Sequence, residues 1–189
     1  MNPNRDLLKS AISEYSYREN FEQPFTLASG KQSPFYCDLK QTLFQPAYLK
    51  LAAAQLWEKL AEQQPYAIGG LTLGADPLVY SIAMHAESQG EQVYPVIVRK
   101  ETKDHGSKKR FECLASIKDQ GKTLVLIDDV ITTGGSTIKA YDALKDSFQI
   151  AQALCLVDRE EGGYEAMSAL GIEMRSVFKL SDFRKEQAS

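Results

Sequence analysis

At 189 residues with 43% hydrophobic side chains, the chain can bury one good core and reads as a single domain. Its formal charge of −3 argues against a general nucleic-acid binder, and no apolar run approaches the ~18 residues that a membrane span needs. Cys37, Cys113 and Cys155 are odd in number and widely spaced, without a metal-ligand pattern; they read as reduced packing residues of a cytoplasmic protein, and the first residues lead into no signal-type apolar region.

In chain order, Leu8, Ile12 and Tyr15 give residues 5 to about 17 the pattern of an amphipathic helix. Residues 25–39 alternate and are turn-rich, with Ala28-Ser29-Gly30-Lys31 as a hairpin tip and residues 33–39 extended. Leu49, Ala52, Ala53, Leu56 and Leu60 share one face of a helix predicted over 46–63. A short buried strand over 67–71 follows, then Gly74-Ala75-Asp76-Pro77 as a loop and helix start. Asp76 suits the N-cap and Pro77 the first helical position of a helix that runs to about residue 88. His85 falls inside that helix and reads as structural. The next strand spans 93–99.

Residues 99–110, Arg99-Lys100-Glu101-Thr102-Lys103-Asp104-His105-Gly106-Ser107-Lys108-Lys109-Arg110, hold six basic and two acidic side chains, a balance of +4 that leaves −7 for the rest. A positive segment without apolar periodicity between two strands predicts a long, mobile loop. A plain solvated loop is one reading of it; a polynucleotide contact lacks the interleaved aromatics that stack on bases.

Leu124-Val125-Leu126-Ile127 is an apolar run suited to a strand buried on both faces of a parallel sheet, and Asp128-Asp129 ends it. Val130-Ile131-Thr132-Thr133-Gly134-Gly135-Ser136-Thr137 follows, then a helical pattern through Ile138, Ala140, Tyr141 and Leu144 that stops before Phe148. Strand, small-residue loop and helix gather free N–H groups and the positive end of a helix dipole around a concavity that fits phosphate. The hydroxyls of Thr132, Thr133, Ser136 and Thr137 add donors. Two carboxylates beside a phosphate repel it, so they make sense facing sugar hydroxyls or a magnesium ion instead. A phosphate at one end and a diol at the other describes a ribose 5-phosphate. The bland alternative is a polar turn with a Ser or Thr N-cap.

A strand over 149–157, a helix near 164–170 and a strand over 174–178 complete the series. This alternation predicts an α/β fold: a Rossmann-like parallel sheet over about 65–180 with helices on both faces. The first ~40 residues break the alternation and predict a small N-terminal hood. Ligands in such folds bind beyond the carboxyl ends of the strands, where Gly74, Arg99, Asp128 and Asp158-Arg159 converge.

The ungapped stretch from Val125 to Ser136 resembles the 5-phosphoribosyl 1-diphosphate (PRPP) motif of the type I phosphoribosyltransferases. It is neither the Walker pattern nor Gly-x-Gly-x-x-Gly. Arg99-Lys100-Glu101-x-Lys103-x-His105-Gly106 resembles the catalytic loop of the orotate phosphoribosyltransferase family in particular. Phe25-Thr26-Leu27-x-Ser29-Gly30-x-x-Ser33-Pro34-x-Tyr36-x-Asp38 is similar to that family's orotate-side hairpin, and Asp158-Arg159-Glu160-Glu161-Gly162-Gly163 to its late Asp-Arg loop. The matches cover most of the chain in the right order.

The resemblance implies that PRPP's phosphoribosyl group passes to orotate, giving orotidine 5′-phosphate and diphosphate in pyrimidine (UMP) biosynthesis. It implies that Arg99, Lys100, Lys103 and His105 surround the pyrophosphate, that Asp128 and Asp129 hold the ribose hydroxyls, and that Thr132, Thr133, Gly134, Gly135 and Ser136, following Val130 and Ile131, cradle the 5-phosphate. Thr132 also lies near the orotate, whose carboxylate pairs with Arg159, and Phe35 and Tyr36 present backbone groups to the base. Lys103 or His105 protonates the leaving group. Mg²⁺ is held mainly by PRPP and water, and a homodimer shares the basic loop between subunits. Ala28 and Leu73 stand where many relatives have lysine, and Phe111-Glu112-Cys113 replaces a common Ile-Glu-Gly; the first two changes predict an altered PRPP affinity or salt dependence. Two rivals remain: a phosphoribosyltransferase for adenine, xanthine or uracil, and a non-catalytic PRPP-sensing regulator. Arg159 and the hairpin speak against the first, the intact loop and the negative body against the second.

Overall fold

The computed structural model of the chain describes residues 2–26, 30, 32–60, 64–100, 110–117 and 121–184. Helix α1 (Pro3–Ala11) passes through a π-helical turn at Ile12–Ser16 into β1 (Tyr17–Glu19), β2 (Phe25–Thr26), β3 (Gln32–Ser33) and β4 (Phe35–Cys37). Helices α2 (Lys40–Leu43) and α3 (Pro46–Leu60) precede β5 (Ala67–Leu71), α4 (Asp76–Ser88), β6 (Tyr94–Val98) and β7 (Phe111–Glu112). The rest is β8 (Thr123–Ile131), α5 (Gly135–Leu144), β9 (Gln149–Asp158), α6 (Gly163–Ser168) and β10 (Glu173–Lys179).

Six strands form the central sheet in the order β10-β9-β8-β5-β6-β7. Every neighbouring pair is parallel except β6 and β7, which are antiparallel. The alternation of side chains along β8 decides which helices cover which face. Val125 and Ile127, with Leu154 and Leu156 of β9, pack against Leu8 of α1, Leu56 and Leu60 of α3, and Leu78 and Ile82 of α4. Leu124 and Leu126 point the other way, onto Ala140 and Leu144 of α5 and Met167 of α6. Each fully buried Leu or Ile contributes about 1.5–3 kcal/mol, so both faces are firmly held.

The hood is two short antiparallel pairs, β1 with β4 and β2 with β3. Leu8, Ile12, Tyr17, Cys37 and Leu39 join the same apolar cluster as the sheet, which fixes the hood over its strand ends. Of the predicted hairpin tip, Ala28, Ser29 and Lys31 lie outside the described residues; Gly30 has φ +80°, the left-handed conformation of a turn glycine. Helix α1 begins two residues before the periodicity does. Asn2 caps it, its side chain accepting from Asn4 N at 3.1 Å and Arg5 N at 3.3 Å, and Pro3 occupies the first position.

Three boundaries differ from the sequence reading for tertiary reasons. Strand β8 does not stop at the acidic pair: Val130 and Ile131 stay in register with Val157 and Asp158 of β9. Asp76 is the first residue of α4 rather than its N-cap, and its Oδ2 accepts from the Thr72 hydroxyl at 2.5 Å instead of from a helix N–H. Strand β7 follows the basic segment where no strand was expected, because Phe111 pairs with Val98 and packs edge-on to Phe148.

Candidate active site

The predicted loop joins β8 to the N-terminus of α5 over residues 132–134. Gly134, at φ +82°, turns the chain into the helix, and a Cβ there would lie 3.0 Å from Met167 Cε. Gly163, opening α6, is pressed closer still: its Cβ would meet Ile131 Cγ2 at 2.4 Å and the Thr132 carbonyl at 2.7 Å. Only glycines let α6 back the loop this tightly. Thr133, Gly135 and Ser136 are exposed and Thr132 is half-buried, at the end of α5 where helix N–H groups lack intrahelical acceptors. Thr137 departs from the expectation. It is buried and donates its hydroxyl to Asp128 Oδ2 at 3.1 Å, so it is not a phosphate donor.

The two carboxylates are not equivalent. Asp128 is 6% exposed, and its Oδ1 accepts from Asp129 N at 3.0 Å. Burial, with Asp129 beside it, pushes the Asp128 carboxyl up to about 8. Asp129 is half-buried; its Oδ1 accepts from Val130 N at 2.9 Å and lies 2.7 Å from where a Cβ on Gly74 would be. That contact places the loop after β5 directly against the acidic pair. The loop's peptide between Thr72 and Leu73 is cis. Leu73 is 70% exposed and presents an apolar side chain at that position.

Arg159 is the buried cation of the site. It follows β9 with 6% exposure, its N–H bonded to the Ile131 carbonyl at 2.9 Å. Its Nη2 pairs with Glu161 Oε1 at 2.7 Å and reaches the Phe35 carbonyl at 3.5 Å, while Nε is buried without a partner among the described residues. The hood thus meets the sheet at this guanidinium. Phe35 stacks near Tyr17 and the exposed Tyr36 near Phe25. The pairing role of Glu161 was missed in the sequence, although the Arg159-Glu160-Glu161 run was its signal. Cys37 lies within electrostatic reach of Arg159 and Asp129, and burial pushes its thiol up to about 12.

The base of the basic segment is closed by β7: Arg99 N bonds the Arg110 carbonyl at 3.0 Å, and the Arg99 guanidinium pairs with Glu112. Lys100 is exposed; Lys103 and His105 lie outside the described residues. The structure therefore brings Asp128, Asp129, residues 132–136, Arg159 and Phe35 to the carboxyl ends of β8 and β9, with Arg99 at the end of β6.

The phosphoribosyl transferase domain model matches residues 41–169. The chain is 40% identical over 183 residues to an orotate phosphoribosyltransferase of Leptospira biflexa, covering 95% of this chain and 97% of that one. This chain belongs to the orotate phosphoribosyltransferase family. The Mycobacterium tuberculosis orotate phosphoribosyltransferase is similar in structure, with a TM-score of 0.81 and 29% identity over 97% of this chain and 100% of that one. The same enzyme in complex with PRPP gives a TM-score of 0.75 and 26% identity over 96% and 99% of the two chains. The fold is that of the type I phosphoribosyltransferases.

Proposed function

We propose that this chain transfers the 5-phosphoribosyl group of PRPP to orotate, releasing diphosphate and forming orotidine 5′-phosphate for pyrimidine synthesis. The observation that carries the choice of acceptor is Arg159: a buried guanidinium whose Nε has no partner among the described residues suits a carboxylate as the acceptor that completes it. Uracil, adenine and xanthine offer no such group. The ribose 5-phosphate lies with its phosphate at the N-terminus of α5 and its hydroxyls toward Asp129, while Phe35 and Tyr36 border the base.

A ring nitrogen of orotate attacks the anomeric carbon and loses its proton as the C–N bond forms, while the C–O bond to diphosphate breaks. Positive charge grows on the sugar as negative charge grows on the leaving group, so fixed charges do most of the catalysis. The Asp129 carboxylate faces the former, and Arg99, Lys100, Lys103 and His105 the latter, with Lys103 or His105 supplying a proton. Among the described residues no group of three or more His, Cys, Asp or Glu side chains is placed to hold a metal. Mg²⁺, which dehydrates reluctantly and keeps several waters, would be carried mainly on the oxygens of PRPP and water. Mg²⁺ bound there would neutralise charge on the diphosphate.

The working unit is a homodimer in the cytoplasm. An exposed apolar row on and before α4, Leu73, Tyr80 and Met84, supports a second copy as its cover. The buried thiols Cys37 and Cys155 suit a reducing compartment, and no described helix is long and apolar enough to cross a membrane. Turnover with PRPP and Mg²⁺, offering orotate, uracil, adenine and xanthine in turn, tests the reaction. Orotate alone should be consumed at a substantial rate; equal use of adenine or xanthine would refute the assignment.

A further inference from the structure

Thr137 sits in the first turn of α5, one residue past the phosphate loop, yet its side chain is turned into the protein. It is 3% exposed, and its hydroxyl donates to Asp128 Oδ2 at 3.1 Å. The other Asp128 oxygen accepts from Asp129 N at 3.0 Å, and Asp129 Oδ1 in turn accepts from Val130 N at 2.9 Å. Of these three bonds, only the one from Thr137 comes from outside β8. Among the described residues it is the one hydrogen bond that ties the helix carrying the phosphate site to the carboxylates across from it.

We propose that Thr137 is a positioning residue, which locks the phosphate-bearing helix to the acidic pair so that the phosphate and the hydroxyls of one ribose are gripped in a fixed relative geometry. The inference rests on the site reading given above. Helix formation does not explain the residue, since a β-branched side chain is a weaker helix former than Ala. Nor does anchoring of α5: Ile138 N already bonds the Gly134 carbonyl at 2.8 Å, and Ala140 and Leu144 are buried in the core. What a threonine adds is a methyl that fills the buried space and a hydroxyl that fixes Asp128. Without that hydroxyl one Asp128 oxygen is buried without a donor, and the carboxyl is free to turn away from the Asp129 N–H.

Two ligands separate this role from a merely structural one: inorganic phosphate, which needs only the loop, and ribose 5-phosphate, which needs loop and carboxylates together. Calorimetric titration of wild type, Thr137→Val and Thr137→Ser gives the affinity of each. Phosphate should bind all three alike. The advantage of ribose 5-phosphate over phosphate should persist in Thr137→Ser and fall about tenfold in Thr137→Val, the scale of one lost hydrogen bond. With PRPP and orotate, Thr137→Val should lose kcat at saturating substrate, and Thr137→Ser should regain it. Equal losses for both ligands would show that Thr137 only holds the helix, and an unchanged advantage would show that it positions nothing; either result overturns the inference. Thr137→Ala gives the same comparison should the valine variant fail to fold. A wild type without any preference for ribose 5-phosphate would instead overturn the site reading, and the inference with it.

Discussion

Asp128 shows at the residue scale how the site strains against the fold. Its carboxyl is buried against Asp129, and its pKa rises to about 8 from an ordinary value near ~4. The folded state therefore holds the proton more tightly than the unfolded chain. Its contribution to stability is full below the unfolded value and is lost as pH rises through about 8. Asp128→Asn removes the charge but keeps the shape. Thermal melts should show the variant gaining on wild type between about pH 5 and about pH 9, by more than ~1 kcal/mol, while its turnover falls. Parallel stability curves would contradict the burial argument. Thr137 belongs to the same balance, because its hydrogen bond opposes the rise.

Among the elements, close approach of β5 to its neighbours sets where the loop after it lands. A Cβ on Gly70 would lie 2.1 Å from the Ile127 carbonyl and 2.5 Å from Ala75 Cβ, so backbone must shift for any side chain there. Gly70→Ala should cost about 3 kcal/mol and, by pushing Gly74 off Asp129, lower activity in the folded fraction. Denaturant unfolding and turnover check both. This glycine shows where legibility in the sequence ended. The strand-loop-helix from Leu124 to Leu144 was readable because apolar run, glycines and helical period are local signals. Arg159 was readable only through its motif, since nothing local says that it is buried or that its Nε is left open. The continuation of β8 through Val130 and Ile131, the pairing of Phe111 and the inward turn of Thr137 depend on β9, β6 and Asp128. Those partners are set by the tertiary fold and leave no mark in neighbouring residues.

For the whole molecule, the −3 chain concentrates positive charge in residues 99–110, and the proposed dimer uses that segment across the subunit boundary. Lys103→Ala and Asp129→Asn damage different halves of a site. Mixed in equal amounts with random subunit exchange, half the dimers carry one of each. A loop acting in trans rebuilds one intact site per mixed dimer, so activity should return to about one quarter of wild type. No recovery after confirmed exchange would place the loop on its own subunit. In the proposed reaction the fold selects orotate through its carboxylate at Arg159. The most direct test of this selection is the ratio of kcat/KM for orotate to that for uracil, in wild type and in Arg159→Ala. Wild type should prefer orotate strongly, and the variant should lose ~2–5 kcal/mol of that preference with PRPP binding little changed. A wild type that turns over uracil as readily as orotate, or a variant that keeps the preference, would contradict it.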